Sequence, residues 1–160
     1  MPDGSVPLLI AIIVLVILSA FFSSTETAYS CANRIKLRSL ASNGNKRAKK
    51  VLALAEENYD KLITTILVGN NIVNITATTL ATIFFALILK EQNVDHNVIS
   101  TIVMTVGVLV FGEITPKTMA SLKAEKIALK YAKTVYVIMI IFTPLILILD
   151  LLSGGILRLF

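Results

Sequence analysis

The sequence predicts an all-α, polytopic membrane protein, and three observations carry that prediction. Apolar residues make up 56% of the 160-residue chain and charged residues 16%, a balance typical of membrane proteins rather than soluble domains. The apolar residues gather into long runs that are almost free of charge, each of a length suited to a bilayer core of ~30 Å. The charges fall in blocks between these runs. Eight Lys/Arg face three acids between residues 31 and 61, five face one between 117 and 133, and residues 90–97 hold one base and two acids. Basic segments alternating with a nearly neutral one form the positive-inside pattern, which assigns the basic blocks to the cytoplasm. The net charge of +5 is therefore read as topology. Nucleic acid is excluded as a partner, because Tyr59 is the one aromatic near the first basic block and bases need stacking partners.

The first run, Val6–Phe22, extends through Tyr29 to give 24 residues, enough to cross. A cleaved secretory signal would need basic residues ahead of it, and only Asp3 precedes it. The basic block that follows puts the N-terminus outside. Residues Asn33–Asp60 are too polar to span. Arg34–Leu40 reads as a short helix, Ser42–Asn45 with Gly44 as a turn, and Lys46–Glu57 as a second helix with Ala48, Val51, Leu52 and Ala55 on one face. This pair is expected to lie against the lipid surface as a cytoplasmic hairpin. Leu62–Leu89 carries no charge and predicts a tilted crossing helix. Glu91–Asn97, with the lone His96, reads as a short external loop. Val98–Phe111 is apolar again and runs into Gly112-Glu113-Ile114-Thr115-Pro116-Lys117, where the proline removes a helical hydrogen bond and should kink, widen or break the helix. Thr118–Lys133 is basic and predicts a cytoplasmic or interfacial helix. Thr134–Leu152 has the length of a further crossing but contains Pro144 and Asp150, so a full crossing and a bent or re-entrant segment are both open. Cys31 is the single cysteine, so no internal disulfide forms. The chain stops without a polar tail, as a fragment of something longer would.

Three clusters place polar residues where burial in lipid is unfavourable. In the first, Ser23, Glu26, Thr27 and Ser30 recur at i, i+3, i+4 and i+7 and share one helical face. The second is Gly69-Asn70-Asn71-Ile72-Val73-Asn74, with Asn70 and Asn74 one turn apart. The third is Gly112-Glu113. Isolated Thr64, Thr65, Thr82 and Thr101 are read as structural, bonding to helix carbonyls or across helices. Asparagine and glutamate are harder to explain that way, since an intramembrane ionisable residue signals function. A simple Glu113–Lys117 pair at the membrane edge is the plain alternative. The grouping suits a hard divalent cation, which takes carboxylate, amide, hydroxyl and backbone oxygens. Glu113 offers the charge, Asn70 and Asn74 amide oxygens, Ser23 a hydroxyl, and a helix break at Gly112 would free a carbonyl. No Cys/His cluster favours zinc or copper.

These segments resemble the membrane domain of the CorC/CNNM (cyclin-M) family of magnesium transporters. The matching pieces are Phe21-Phe22-Ser23-Ser24-Thr25-Glu26-Thr27-Ala28, Asn33-Arg34-Ile35-Lys36-Leu37-Arg38 with Gly44-Asn45, Leu67-Val68-Gly69-Asn70-Asn71-Ile72-Val73-Asn74, and Phe111-Gly112-Glu113-Ile114-Thr115-Pro116-Lys117-Thr118. Their order and spacing span nearly the whole chain. The resemblance implies three transmembrane helices, a cytoplasmic helical belt, and a last hydrophobic segment that is bent or re-entrant and leaves the C-terminus cytoplasmic. It also implies a homodimer with one ion site per subunit, and a CBS regulatory pair with a C-terminal domain beyond residue 160, so that residues 1–160 form the transport domain. Metal ligands map to Ser23, Asn70, Asn74, Gly112 and Glu113. Ser24, Glu26, Thr27, Asn71, Pro116 and Lys117 take supporting places along the ion path. In some relatives asparagine stands in the place of Glu26.

The expected function is Mg2+ export from the cytoplasm by alternating access, with Na+ as the coupling ion and a proton on Glu113 as its competitor. No Walker-type loop is present to hydrolyse a nucleotide, and the domain is read as no enzyme. Two other classes stand beside this one: a magnesium sensor that regulates another transporter, and a pore-forming haemolysin.

Overall fold

The structure is a computed structural model that describes residues 4–89 and 96–157, and every described element is helical. Helix α1 (Ser5–Cys31) is followed by α2 (Arg34–Ser42) and α3 (Lys46–Leu52), which widens into a π-helical turn at Ala53–Glu57. Helix α4 covers Tyr59–Ile88. Helix α5 (His96–Gly107) passes through a π-helical segment, Val108–Ile114, into α6 (Thr115–Leu122), and α7 covers Ala124–Leu157. Among the described residues four stretches are long and apolar enough to cross a membrane: Ser5–Cys31, Tyr59–Ile88, Thr101–Leu122 and Ala124–Leu149. The expected external loop lies outside the described residues up to residue 95, and His96 opens α5.

The surface is inverted relative to a soluble protein. Ile17 of α1 is 62% exposed, while Ser19, Ser23, Thr25 and Thr65 are at most 1% exposed. Lipid solvates the isoleucine as well as a protein core would, whereas each hydroxyl needs a partner within the protein. Many of those partners are carbonyls one turn back. Thr25 Oγ1 donates to Phe21 O at 2.7 Å, Thr65 Oγ1 to Lys61 O at 2.6 Å and Thr82 Oγ1 to Thr78 O at 3.1 Å.

The hairpin forms where its residues direct it. Asn33 caps α2 by accepting from Lys36 N at 3.1 Å, and Asn45 caps α3 by accepting from Arg47 N and Ala48 N at 3.0 and 3.1 Å. Between them Gly44 takes φ +85°, a left-handed turn that a Cβ would strain. Leu37 and Val51 then bury fully in one cluster with Tyr29, Leu62 and the small-residue face of α7 at Ala128 and Ala132, and Ala48 is fully buried as well.

The basic segment does not end at Lys133. The chain turns at Lys123 (φ −133°, ψ 38°), and residues 124–133 continue without interruption into the last apolar stretch, with Pro144 inside the helix. No glycine or proline stands near Lys133 to stop it, and Ala124, Ala128, Ala132, Val135 and Met139 form one continuous buried stripe. At its start, Glu125 meets Asn33 N (3.4 Å) and Lys36 Nζ (3.5 Å) at the C-terminal end of α1. Further on, Thr143, Ile146 and Leu147 line a cavity with Asp60, Lys61 and Thr64 in the first turns of α4. Both places belong to the same end of the antiparallel α1–α4 pair. The last hydrophobic segment is thus part of one continuous helix, with Pro144 inside it.

Candidate functional site

Two glycines let three helices close on one another. A Cβ on Gly69 of α4 would lie 2.5 Å from Phe22 Cζ, and one on Gly112 would lie 2.9 Å from Ser19 Oγ. Neither position accepts a side chain unless the Phe22 ring or the Ser19 side chain gives way, so the backbones of α4 and of the 108–114 segment approach α1 as small residues allow. That segment is where Pro116 acts. Proline has no N–H, so the carbonyl one turn before it loses its ordinary donor, and the helix responds by widening: Thr115 N bonds Val110 O, an i−5 pattern. Of the three outcomes left open by the sequence, widening is the one observed. The π-helical turn carries Glu113 toward α4 while keeping the helix continuous.

Around this crossing the oxygen-bearing side chains meet. Ser19 Oγ donates to Asn70 Oδ1 at 3.2 Å. One turn along α4, Asn74 Nδ2 donates to Glu113 Oε1 at 3.2 Å. Ser23 lies one turn beyond Ser19 on α1, is fully buried, and its Oγ has no hydrogen-bond partner; the same holds for Asn74 Oδ1. A buried polar atom left unsatisfied costs about 1–3 kcal/mol, so each of these two calls for an explanation. The donor set contains oxygen and no sulfur or imidazole, as a hard cation requires.

Asn74 thus meets Glu113 directly, while Asn70 and Gly112 each meet Ser19. Ser23 shares the buried face of α1 but makes no side-chain bond to them. Asn71 is exposed and points away from the cluster. Ser24 Oγ and Thr27 Oγ1 bond to Phe21 O (3.0 Å) and Ser23 O (3.2 Å) of their own helix. Ser24 and Pro116 border an apolar cavity of about 560 Å³ between α1, α6 and α7. Lys117 does not pair with Glu113. Its Nζ meets Glu26 Oε2 at 3.1 Å across α1 and α6, and among the described residues no base forms an ion pair with Glu113. The plain membrane-edge pair is thus replaced by an interhelical one. Ser19 was not singled out from the sequence, although it stands four residues before Ser23 on the same face. That spacing was the available signal.

Fold and site together define a class: a multi-pass helical membrane domain with a buried, oxygen-lined cluster where three helices meet at a π-helical turn. The chain belongs to the cyclin M (CNNM) family, because the profile described as "Cyclin M transmembrane N-terminal domain" matches residues 10–160. It is 38% identical over 141 residues to the UPF0053 inner membrane protein YfjD of Escherichia coli, covering 88% of this chain and 32% of that protein. It is 36% identical over 151 residues to a UPF0053 protein of Haemophilus influenzae, covering 94% of this chain and 35% of that protein. A chloroplastic DUF21 domain-containing protein of Arabidopsis thaliana, At1g55930, is 36% identical over 145 residues, covering 91% of this chain and 21% of that protein. The chain spans about a third of the length of the two bacterial relatives.

Proposed function

We propose that this domain carries Mg2+ across the membrane, exporting it from the cytoplasm by alternating access in exchange for Na+. The supporting observation is the Asn74–Glu113 contact at 3.2 Å one turn along α4 from the Ser19–Asn70 contact, with Asn74 Oδ1 and, on the buried face of α1, Ser23 Oγ left unpartnered. One carboxylate with neutral oxygens binds a divalent ion loosely enough to release it, which suits transport better than storage. In this reading Ser23, Asn70, Asn74, Glu113 and the Gly112 carbonyl are the ligands. The basic α2–α3 hairpin and the first turns of α7 face the cytoplasm and the N-terminus faces outward. Moving two charges outward against 100 mV costs about 4.6 kcal/mol, at ~2.3 per charge. Each Na+ entering returns about 2.3, so two of them offset the electrical work. The working unit is a homodimer, and regulatory domains lie in the remainder of a longer chain.

The test is Na+-dependent Mg2+ flux in proteoliposomes. Asn70→Ala and Glu113→Ala should each abolish it, in protein that remains monodisperse. Undiminished flux in both variants would remove the site. Bound Mg2+ without flux in the unmutated protein would make the domain a sensor, and a large unselective leak would make it a pore.

A further inference from the structure

A second site, which shares no lining residue with the oxygen cluster, lies between α3 and α7. Lys46, Arg47 and Lys50 of α3 and Lys130, Lys133 and Thr134 of α7 line a cavity of about 400 Å³. Five positive charges converge there, and no carboxylate is among the lining residues. Glu125 pairs with Lys36 at 3.5 Å and Glu56 with Arg38 at 3.1 Å, and among the described residues no ion pair joins a carboxylate to any of the five bases. Repulsion alone would splay such lysines into solvent. Lys50 is instead held across the cavity toward α7, its Nζ 4.1 Å from the centre of the Tyr136 ring, an attraction that fixes a cation without neutralising it. A concave, uncompensated cationic site with one head group already oriented fits a ligand bearing phosphate.

The position of the cavity selects the source of that phosphate. Residue 134 is where α7 changes character: Lys126, Lys130 and Lys133 precede it, and no charge follows before Asp150. Just past the cavity Tyr136, Val137, Ile140 and Ile141 are exposed, at 43–65%. Phosphate-binding bases beside an aromatic residue, followed by exposed aliphatic side chains, match a phospholipid from head group to acyl chain. We infer that the α3–α7 cavity is a binding site for the head group of an anionic phospholipid, whose tails lie along the exposed apolar face of α7. The site is independent of the transported ion.

The experiment uses the chain in nanodiscs made from equal parts phosphatidylcholine and phosphatidylglycerol, followed by gentle detergent extraction and native mass spectrometry of retained lipid. The unmutated protein should retain phosphatidylglycerol selectively. Lys50→Gln/Lys133→Gln should lose about thirtyfold of that enrichment, taking the usual surface contribution of each base as additive. Lys49→Gln/Lys123→Gln removes the same charge at exposed positions outside the cavity and should leave retention unchanged, as should Lys50→Arg/Lys133→Arg. Equal losses in both glutamine pairs would reduce the effect to general attraction and overturn the site. So would absence of phosphatidylglycerol preference, or loss in the arginine pair. Calorimetry with inorganic pyrophosphate on lipid-free protein separates the other source: pyrophosphate binding without lipid retention would assign the cavity to a soluble anion and refute the lipid.

Discussion

Replacing Gly112 by alanine tests whether the approach of the π-helical turn to α1 is a determinant of the fold. The new Cβ would stand 2.9 Å from Ser19 Oγ, about 0.5 Å inside the 3.4 Å at which ordinary contact begins, and 3.3 Å from Ser19 Cβ. Ser19 cannot simply turn away, since its hydroxyl is fully buried and donates to Asn70 Oδ1. Either the segment withdraws from α1 or the Ser19–Asn70 bond breaks, and overpacking of this kind costs about 1–3 kcal/mol. Removing the hydroxyl relieves the clash. In Ser19→Ala the nearest atom becomes the Cβ at 3.3 Å, which needs a shift of only about a tenth of an ångström. The single Ser19→Ala variant should lose about 1 kcal/mol with its hydrogen bond. Adding Gly112→Ala to it should cost less than about 0.5 kcal/mol more, against about 2 kcal/mol in the unmutated background, a coupling within the range of neighbouring residues. Reversible unfolding in mixed micelles measures all four proteins. Strictly additive losses would refute the contact.

The interhelical pair of Glu26 and Lys117 is partly exposed, at 28% and 43%, so Glu26→Gln should change stability by no more than about 1 kcal/mol. If the pair orients α6 against α1, the exchanged variant Glu26→Lys/Lys117→Glu should unfold within a few tenths of a kcal/mol of the parent while Glu26→Lys alone does not; identical behaviour of the two would remove that role. Gly44→Ala places a Cβ at φ +85°, and should cost about 1–2 kcal/mol in thermal or denaturant unfolding through backbone strain alone. The space around that Cβ is open, so Mg2+ flux per folded protein should be unchanged. Equal stability would mean that the turn relaxes.

The sequence alone determined most of the helical segments and marked the polar residues set within them. Charge-free runs bounded by basic blocks define helices and polar intervals, because neither hydrophobic length nor charge placement depends on what a helix later touches. Asn33, Gly44 and Asn45 likewise specify the α2–α3 turn through local hydrogen bonds and a local φ. The oxygen-bearing residues Ser23, Asn70, Asn74 and Glu113 were conspicuous because polar groups in apolar runs are costly wherever they lie. Helical periodicity names a face, however, and not the neighbour of that face. Only the packed structure turned Lys117 from Glu113 to Glu26, brought in Ser19 as the partner of Asn70, and settled the break before Pro116 as a widened π-helical turn. It also carried α7 past Lys133 as one helix, since the course of an amphipathic helix depends on which buried surface accepts its alanine stripe. Those outcomes depend on how closely Gly69 and Gly112 let the helices approach, a property of three surfaces together that no single segment contains.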